Sequence, residues 1–333
     1  MRYKFFHILL LLSLLWSNSY LLGIEPSKGI VHAAPDAPNA QPTQIISDTL
    51  DWWAMGNGLF YWSQQCVSSS IEFAYPVSIK RRPINVNAKK TLYTEANQHC
   101  RTFANLVSGS DGVYYYDIDQ TRIARVASSQ PYTPTTVLAT TQAPNSTEAL
   151  RLSDGFLYWP ANTNKILRVR TDGTGFATVA DATTNPQSLL VAGSTVLWTD
   201  NSGVWSIATN CATLPCTSTK QKVASLSAAA TATGLLFHAT GLFTYEYFWV
   251  ENNNQIRHVG CSVLSGICAA STLFHAADTG WSIGELALDG TNLYWPEVFG
   301  QPSQTDGRLL RQAFSGGAAQ LFVEKQIDLM CNF

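Results

Sequence analysis

The chain has 333 residues, of which 46% are hydrophobic and 11% aromatic but only 13% charged, so disorder is excluded and solvation falls to Ser, Thr, Asn and Gln, as suits an extracellular protein. The 21 Lys and Arg stand against 23 Asp and Glu, a formal net charge of -2, and no run of five like charges occurs. That excludes the broad basic surface a nucleic-acid partner requires.

Arg2 and Lys4 precede an apolar run from Phe5 to Trp16, the layout of a secretory signal, and Val31-His32-Ala33 offers residues suited to cleavage near Ala33. Residues 1–33 are therefore read as a signal peptide and 34–42, with Pro35, Pro38 and Pro42, as a linker; a secreted or extracytoplasmic location follows. The alternative is an uncleaved anchor from Phe5 to Ile24, weakened by Ser13, Ser17, Asn18 and Ser19, which would be the chain's one membrane contact.

From residue 43 to 333 one unit recurs six times. Its first marker is a tight turn: Gly56-Asn57-Gly58, Asp111-Gly112, Asp154-Gly155, Gly193-Ser194, the looser Ala239-Thr240-Gly241, and Asp289-Gly290. Such dipeptides supply the positive φ angles of a short hairpin. An aromatic strand follows each turn, with the pairs Tyr61-Trp62, Tyr114-Tyr115, Tyr158-Trp159, Leu197-Trp198, Phe248-Trp249 and Tyr294-Trp295, whose second members stand 53, 44, 39, 51 and 46 residues apart. Next comes an Ile/Leu-x-Arg strand, as Ile79-Lys80-Arg81, Ile123-Ala124-Arg125, Ile166-Leu167-Arg168 and Leu309-Leu310-Arg311, altered to Val204-Trp205-Ser206 and Ile256-Arg257-His258. Large side chains at alternate strand positions serve packing between sheets, and the repeated Arg is expected to bridge neighbouring blades. An outer strand closes the unit, for example Thr135–Leu138, Phe176–Val179 and Gln320–Val323.

No segment sustains an apolar period of 3.6. The spacing is that of a four-stranded propeller blade, and a lone sheet cannot bury both faces, so the expectation is an all-β, six-bladed β-propeller of four-stranded antiparallel blades. Thr43–Ser47 is expected to pair beside the last blade and close the ring.

The unit resembles the YWTD repeat of the low-density lipoprotein receptor class B propellers and their bacterial exported relatives, over about residues 44 to 326. Leu197-Trp198-Thr199-Asp200 is the best match, while Tyr158-Trp159-Pro160-Ala161, Tyr294-Trp295-Pro296-Glu297 and Tyr61-Trp62-Ser63-Gln64 keep the Tyr-Trp half. The resemblance implies a propeller that binds something, most often a protein; the receptor's cysteine-rich modules are absent, so its uptake role does not carry over.

Seven cysteines in an exported chain point to disulfides. Cys211 with Cys216 and Cys261 with Cys268 occupy the same place in consecutive units, the turn before the outer strand, and read as hairpin staples rather than zinc sites. Cys66 with Cys100 would close the long excursion of the first blade; Cys331, in the last blade, can also reach it and is otherwise free or intermolecular.

An axial metal would need oxygen ligands on the inner strands, where Glu148-Ala149-Leu150, Gln187-Ser188-Leu189, Thr233-Gly234-Leu235 and Ile283-Gly284-Glu285 offer two carboxylates, so no metal and no cofactor are expected. Asp117-Ile118-Asp119 reads as a polar loop and not a calcium corner. Among His99, His238, His258 and His275, the pair His258 and His275 is the one placed to face across adjacent strands, and structural roles are expected for all four. No nucleophile elbow, His-Glu-x-x-His or phosphate loop occurs, and the chain is read as not an enzyme.

The expected function is an exported, non-catalytic propeller that binds a protein, peptide or glycan; the alternative is a metal-dependent hydrolase or lyase with an axial site. Trp52, Trp53 and Trp281 lie outside the repeat's markers. With Glu285 they are the candidate ligand-binding residues, gathered where the first and last blades of a ring would meet, although alternation along a strand puts one of Trp52 and Trp53 in the core.

Overall fold

The computed structural model describes residues 50–327, apart from 57–58, 65–77, 84–88, 95–102, 119, 141, 145–149, 162, 183, 212–213, 228–229, 241–243, 263–267 and 302–303. The signal or anchor segment, the linker, Thr43–Ser47, Cys66, Cys100, Glu148, His99, Asp119 and Cys331 lie outside the described residues. The strands gather into two compact units, residues 48–225 and 226–333.

The first unit holds four sheets, each an antiparallel meander of four strands. They are β1 (Leu50–Gly56), β2 (Leu59–Gln64), β3 (Ser78–Pro83) and β4 (Lys90–Thr94); then β5 (Phe103–Ser108), β6 (Gly112–Asp117), β7 (Arg122–Ala127) and β8 (Thr135–Ala139). The third sheet is β9 (Arg151–Ser153), β10 (Phe156–Ala161), β11 (Lys165–Arg170) and β12 (Ala177–Asp181). The fourth is β13 (Ser188–Ala192), β14 (Thr195–Asp200), β15 (Gly203–Ala208) and β16 (Gln221–Ala224), with one 3-10 turn at Thr217–Thr219. In the second unit the fifth sheet is β17 (Ala232–Ala239), β18 (Tyr245–Glu251), β19 (Gln255–Cys261) and β20 (Thr272–Ala276). The sixth departs from the expected four strands. Its inner strand is split into β21 (Trp281–Ile283) and β22 (Ala287–Leu288), both paired to β23 (Asn292–Gln301), followed by β24 (Gln304–Ala313) and β25 (Gln320–Ile327).

The aromatic pairs fall on the second strand of every sheet, and the reason is packing. This strand has neighbours on both edges and other sheets against its faces, so β6 and β14 are buried at every residue and Trp62, Trp159, Trp198, Trp249 and Trp295 are fully buried. The core is a series of layers between consecutive sheets. Tyr61, Ile79, Leu106 and Tyr115 fill the layer between the first and second sheets, and Tyr158, Val179, Leu189 and Trp198 that between the third and fourth. Phe248, Ile283, Trp295 and Leu310 fill the layer between the fifth and sixth. Truncating one such Trp to Ala costs about 3–5 kcal/mol.

Register explains the Arg marker and divides its expected role. Arg81, Arg125, Arg168 and Arg311 stand directly opposite Tyr61, Tyr114, Tyr158 and Tyr294 across the second and third strands of one sheet. Tyr114 Oη donates to Asp111 Oδ1 at 2.9 Å, and Arg125 Nη1 donates to the same carboxylate. Arg125 therefore ties its own sheet's turn to its own strands, whereas Arg81 also reaches the Tyr132 hydroxyl of the second sheet, the contact between sheets expected of this residue. A further bond between sheets is made by Arg151, whose Nε reaches the Leu189 carbonyl at 2.8 Å.

Both predicted hairpin staples form, Cys211–Cys216 and Cys261–Cys268, each between the third and outer strands of its sheet, consistent with an oxidising environment.

Candidate binding site on the sixth sheet

Inner-strand register places the tryptophans against the repeat. Ala54, Val107, Arg151, Leu190, Leu236 and Ala287 stand opposite the first member of each aromatic pair. One residue earlier come Trp53, Leu106, Leu150, Leu189, Leu235 and Leu286, and the five leucines are buried. Trp53 thus holds the register position of a repeat leucine, and Trp52 that of Asn105, Ser188, Gly234 and Glu285. Two conclusions follow. Leu150 and Leu189 are packing residues, and Glu285 aligns with Ser188 and Gly234, one place earlier in the unit than its alignment with Leu150 and Leu189 in the sequence.

Trp52 and Trp53 belong to the first unit, Trp281 and Glu285 to the second. Trp281 does not precede the inner strand; it begins it, paired with Phe299 on β23. That pairing exists because β23 and β24 run ten residues each, where the second strands of the other sheets run six or seven. Gly280, at φ 87°, makes the entry turn; a Cβ there would come within 2.6 Å of the Phe299 ring, so the position requires glycine. Asp278 caps the same turn, its carbonyl accepting from Trp281 N at 3.0 Å. Glu285 is exposed in the link between β21 and β22.

The half-buried Trp281 ring is held on two sides. The Phe299 centroid lies 5.5 Å away and the Arg308 guanidinium carbon sits 4.3 Å over the indole. Arg308 is itself fixed by acids: Nε and Nη2 donate to Glu297 Oε2 at 2.8 and 2.6 Å, and Nη2 to Asp278 Oδ2 at 2.7 Å. Glu297 is fully buried and also accepts from Trp295 Nε1 at 3.0 Å and His275 Nε2 at 2.7 Å on Oε1. Burial alone would raise the Glu297 carboxyl, but donation from His275, Arg308 and Trp295 outweighs it and holds the group below its ordinary value. The result is an indole on β21 held against Phe299 and Arg308, beside an exposed carboxylate, Asp278.

Glu297 shows what reading the repeat as Tyr-Trp alone missed. Two residues past the second member of the aromatic pair, Asp117, Asp200, Glu251 and Glu297 are buried acids in four of the six repeats. Asp117 accepts from Arg122 Nε at 3.3 Å and Gln120 N at 3.2 Å, and Glu251 accepts the Trp249 indole at 3.3 Å. The acid at that spacing was the available signal, and Tyr294-Trp295-Pro296-Glu297 keeps more of the repeat than its aromatic half.

The histidines do not pair. His258 stands opposite Thr272 and bonds its hydroxyl at 2.7 Å, whereas His275 stands opposite Ile256 and turns to Glu297 on the next sheet. His238 stacks on Phe314 at 4.1 Å, and burial lowers its pKa, partly offset by Glu246. Among the described residues no three His, Cys, Asp or Glu side chains converge as metal ligands.

No protein-family model matches the chain, and no curated protein sequence matches it. Solved structures do. YCF48 bound to D1 peptide is similar with a TM-score of 0.56 at 9% identity, over 83% of this chain and 81% of that one. A structure from a study of two prolyl endopeptidases gives 0.55 at 14% identity, over 83% of this chain but only 42% of that one. Oligogalacturonate lyase from Vibrio parahaemolyticus gives 0.54 at 8% identity, over 80% and 75%. At these identities the likeness shows the fold, a β-propeller. It also corrects one expectation. Reading the chain as not an enzyme rested on missing catalytic motifs, yet a lyase and an endopeptidase carry this fold, so neither those absences nor the fold give ground for excluding catalysis.

Proposed function

We propose that the chain is an exported six-bladed propeller of the YWTD-repeat kind that binds a peptide or protein, with Trp281 at the centre of the contact. The observation that carries this is the rigid, half-buried Trp281 on a hairpin longer than the repeat requires, where the other paired tryptophans are packed away. A tryptophan whose rotamer is already fixed loses little entropy on binding, which is why such residues dominate interface energetics. Asp278 and Glu285 on the same sheet suit a partner that brings a donor or a basic side chain. The six aromatic pairs on six sheets support the blade number, and YCF48 bound to D1 peptide is an instance of the same fold with a peptide.

The test is selection of peptides from a displayed random library, with affinities then measured on Trp281→Ala. Loss of about tenfold or more with an unchanged unfolding midpoint is expected, since a hot-spot tryptophan contributes about 2 kcal/mol. Peptides that bind Trp281→Ala as tightly as the parent chain overturn the assignment.

A further inference from the structure

The fourth sheet departs from the repeat at three residues that converge on one spot. Just before the repeated Arg, the third strands carry Lys80, Ala124, Leu167, Trp205, Arg257 and Leu310. Their register partners on the outer strands are Thr91, Thr136, Thr178, Lys222, Leu273 and Leu321. Only the fourth sheet pairs an indole with a lysine there, and Lys220 adds a second cation two residues upstream. Since five sheets pack without this arrangement, the fold does not require it.

The geometry is fixed. Trp205 stacks on the buried Trp198 with centroids 6.5 Å apart and planes 17° from parallel, and its Nε1 donates to Asp200 Oδ1 at 3.0 Å. Lys220 Nζ lies 4.5 Å and Lys222 Nζ 5.5 Å from the Trp205 ring centroid. Lys220 is anchored by donating to the Asp181 carbonyl at 2.8 Å. Lys222 lies across Gly203, where a Cβ would meet the Ala224 carbonyl at 2.4 Å and the lysine Cε at 2.5 Å, so the strand pair requires the glycine and the lysine stem runs over it.

The charges do not balance. Asp200 is fully buried and already accepts from the indole and from the Ser202 hydroxyl and amide, and among the described residues no acid forms an ion pair with Lys220 or Lys222. Lys222 is exposed, and among the described residues its ammonium has no acceptor. Both ammonium groups lie near the Trp205 ring, and Lys220 also lies 5.5 Å from the Trp198 ring, so indole faces and one carbonyl are what they meet within the protein.

We infer that Lys220 and Lys222, positioned by Trp205, bind an oxyanion-bearing ligand. This site stands independently of the Trp281 reading. Titration with inorganic sulfate, inorganic phosphate and galacturonate oligomers at low ionic strength, followed by calorimetry and by Trp emission, tests it and separates free ions from a carboxylated saccharide. At least one probe saturates; Lys222→Ala and Lys220→Ala each weaken it about tenfold, the effect of losing one charged hydrogen bond, and Trp281→Ala leaves it unchanged. Lys222→Ala keeps the parent melting temperature, so its loss of binding is not unfolding. If no probe binds the parent chain, or both lysine variants bind as the parent does, the assignment fails.

Discussion

The second and fourth sheets are built on the same meander but hold their turns and faces in place by different chemistry. In the second, the Asp of the turn, the Tyr of the aromatic pair and the Arg opposite it form one polar cluster, Asp111, Tyr114 and Arg125; burial, with the Asp111 carboxylate beside it, pushes the Tyr114 hydroxyl up to about 12. In the fourth, Ser194, Leu197 and Ser206 stand in those places, and the buried Ser206 Oγ and Trp198 Nε1 have no hydrogen-bond partner among the described residues. The fifth sheet, with Phe248 and His258, has lost Tyr and Arg together in the same way. Tyr and Arg are thus kept or lost together, because they face each other across the strand pair, whereas the turn Asp varies separately: the first sheet keeps Tyr61 and Arg81 with a Gly-Asn-Gly turn. The fourth sheet has the Cys211–Cys216 loop instead, which docks on the third sheet through Cys216 N to the Val179 carbonyl at 3.0 Å and buries Cys216. Its counterpart Cys261–Cys268, with Cys261 also buried, prolongs its own hairpin, with Ala269 N bonded to the Gly260 carbonyl. Freed from the polar cluster, the fourth sheet is where Trp205 and the two lysines appear.

The largest effect is expected where the fourth sheet relies on its staple. Chain closure gives about 2 kcal/mol for either short loop, and replacing the docked, buried Cys216 adds about 1–2 kcal/mol. Cys211→Ser with Cys216→Ser should therefore lose about 3–4 kcal/mol in urea unfolding and Cys261→Ser with Cys268→Ser about 2; equal losses would mean that docking contributes nothing. Next, Asp111→Ala should cost about 2 kcal/mol by leaving the buried Tyr114 hydroxyl without its acceptor, while Ser194→Ala at the matching turn stays within about 0.5.

The intact cluster also predicts an acid limb. In the sixth sheet, burial acts to raise Asp289, but bonds from Tyr294, Thr291 and Asn292 hold its pKa below the ordinary 3.8. Its contribution is present above 3.8 and is lost as pH falls through the lowered value. Asp289→Ser, which copies the fourth sheet, should flatten stability against pH in that acid range only; an unchanged acid limb would show that the carboxylate does not couple to folding. The smallest effect runs the other way. Ser206→Ala removes a buried hydroxyl without a partner and should be neutral or stabilising by up to about 1 kcal/mol, and a loss beyond that range reveals a bond the hydroxyl makes.

Much of this was legible along the chain. Tyr-Trp pairs, Asp-Gly turns and two close cysteine pairs are local signals, and the strands, hairpins and staples they announce appear where expected. Glu297 was less legible, because its acid lies past a proline and its partners His275 and Arg308 stand 22 residues before and 11 after it. Trp281 was singled out as surplus to the repeat, but nothing in its neighbours Gly280 and Ser282 indicates Arg308 over its ring. Trp205 was seen only as an altered marker, since Lys220 and Lys222 meet it across a strand pair.

The sequence by itself determined the repeat: the period, the strand that is buried on both faces, the turns, and the paired cysteines. Each of these follows from residues within a few positions of one another, whose dihedral preferences and apolar surface act before any distant contact forms. Only the tertiary structure decided what the polar residues do. Whether an Arg reaches its own sheet's Asp or the next sheet, which acid takes an indole proton, and which tryptophan is left with an edge in solvent all depend on cross-strand register and on packing between sheets. Those relations join residues far apart in sequence, and a buried charge or indole is stable only where that geometry supplies its partner.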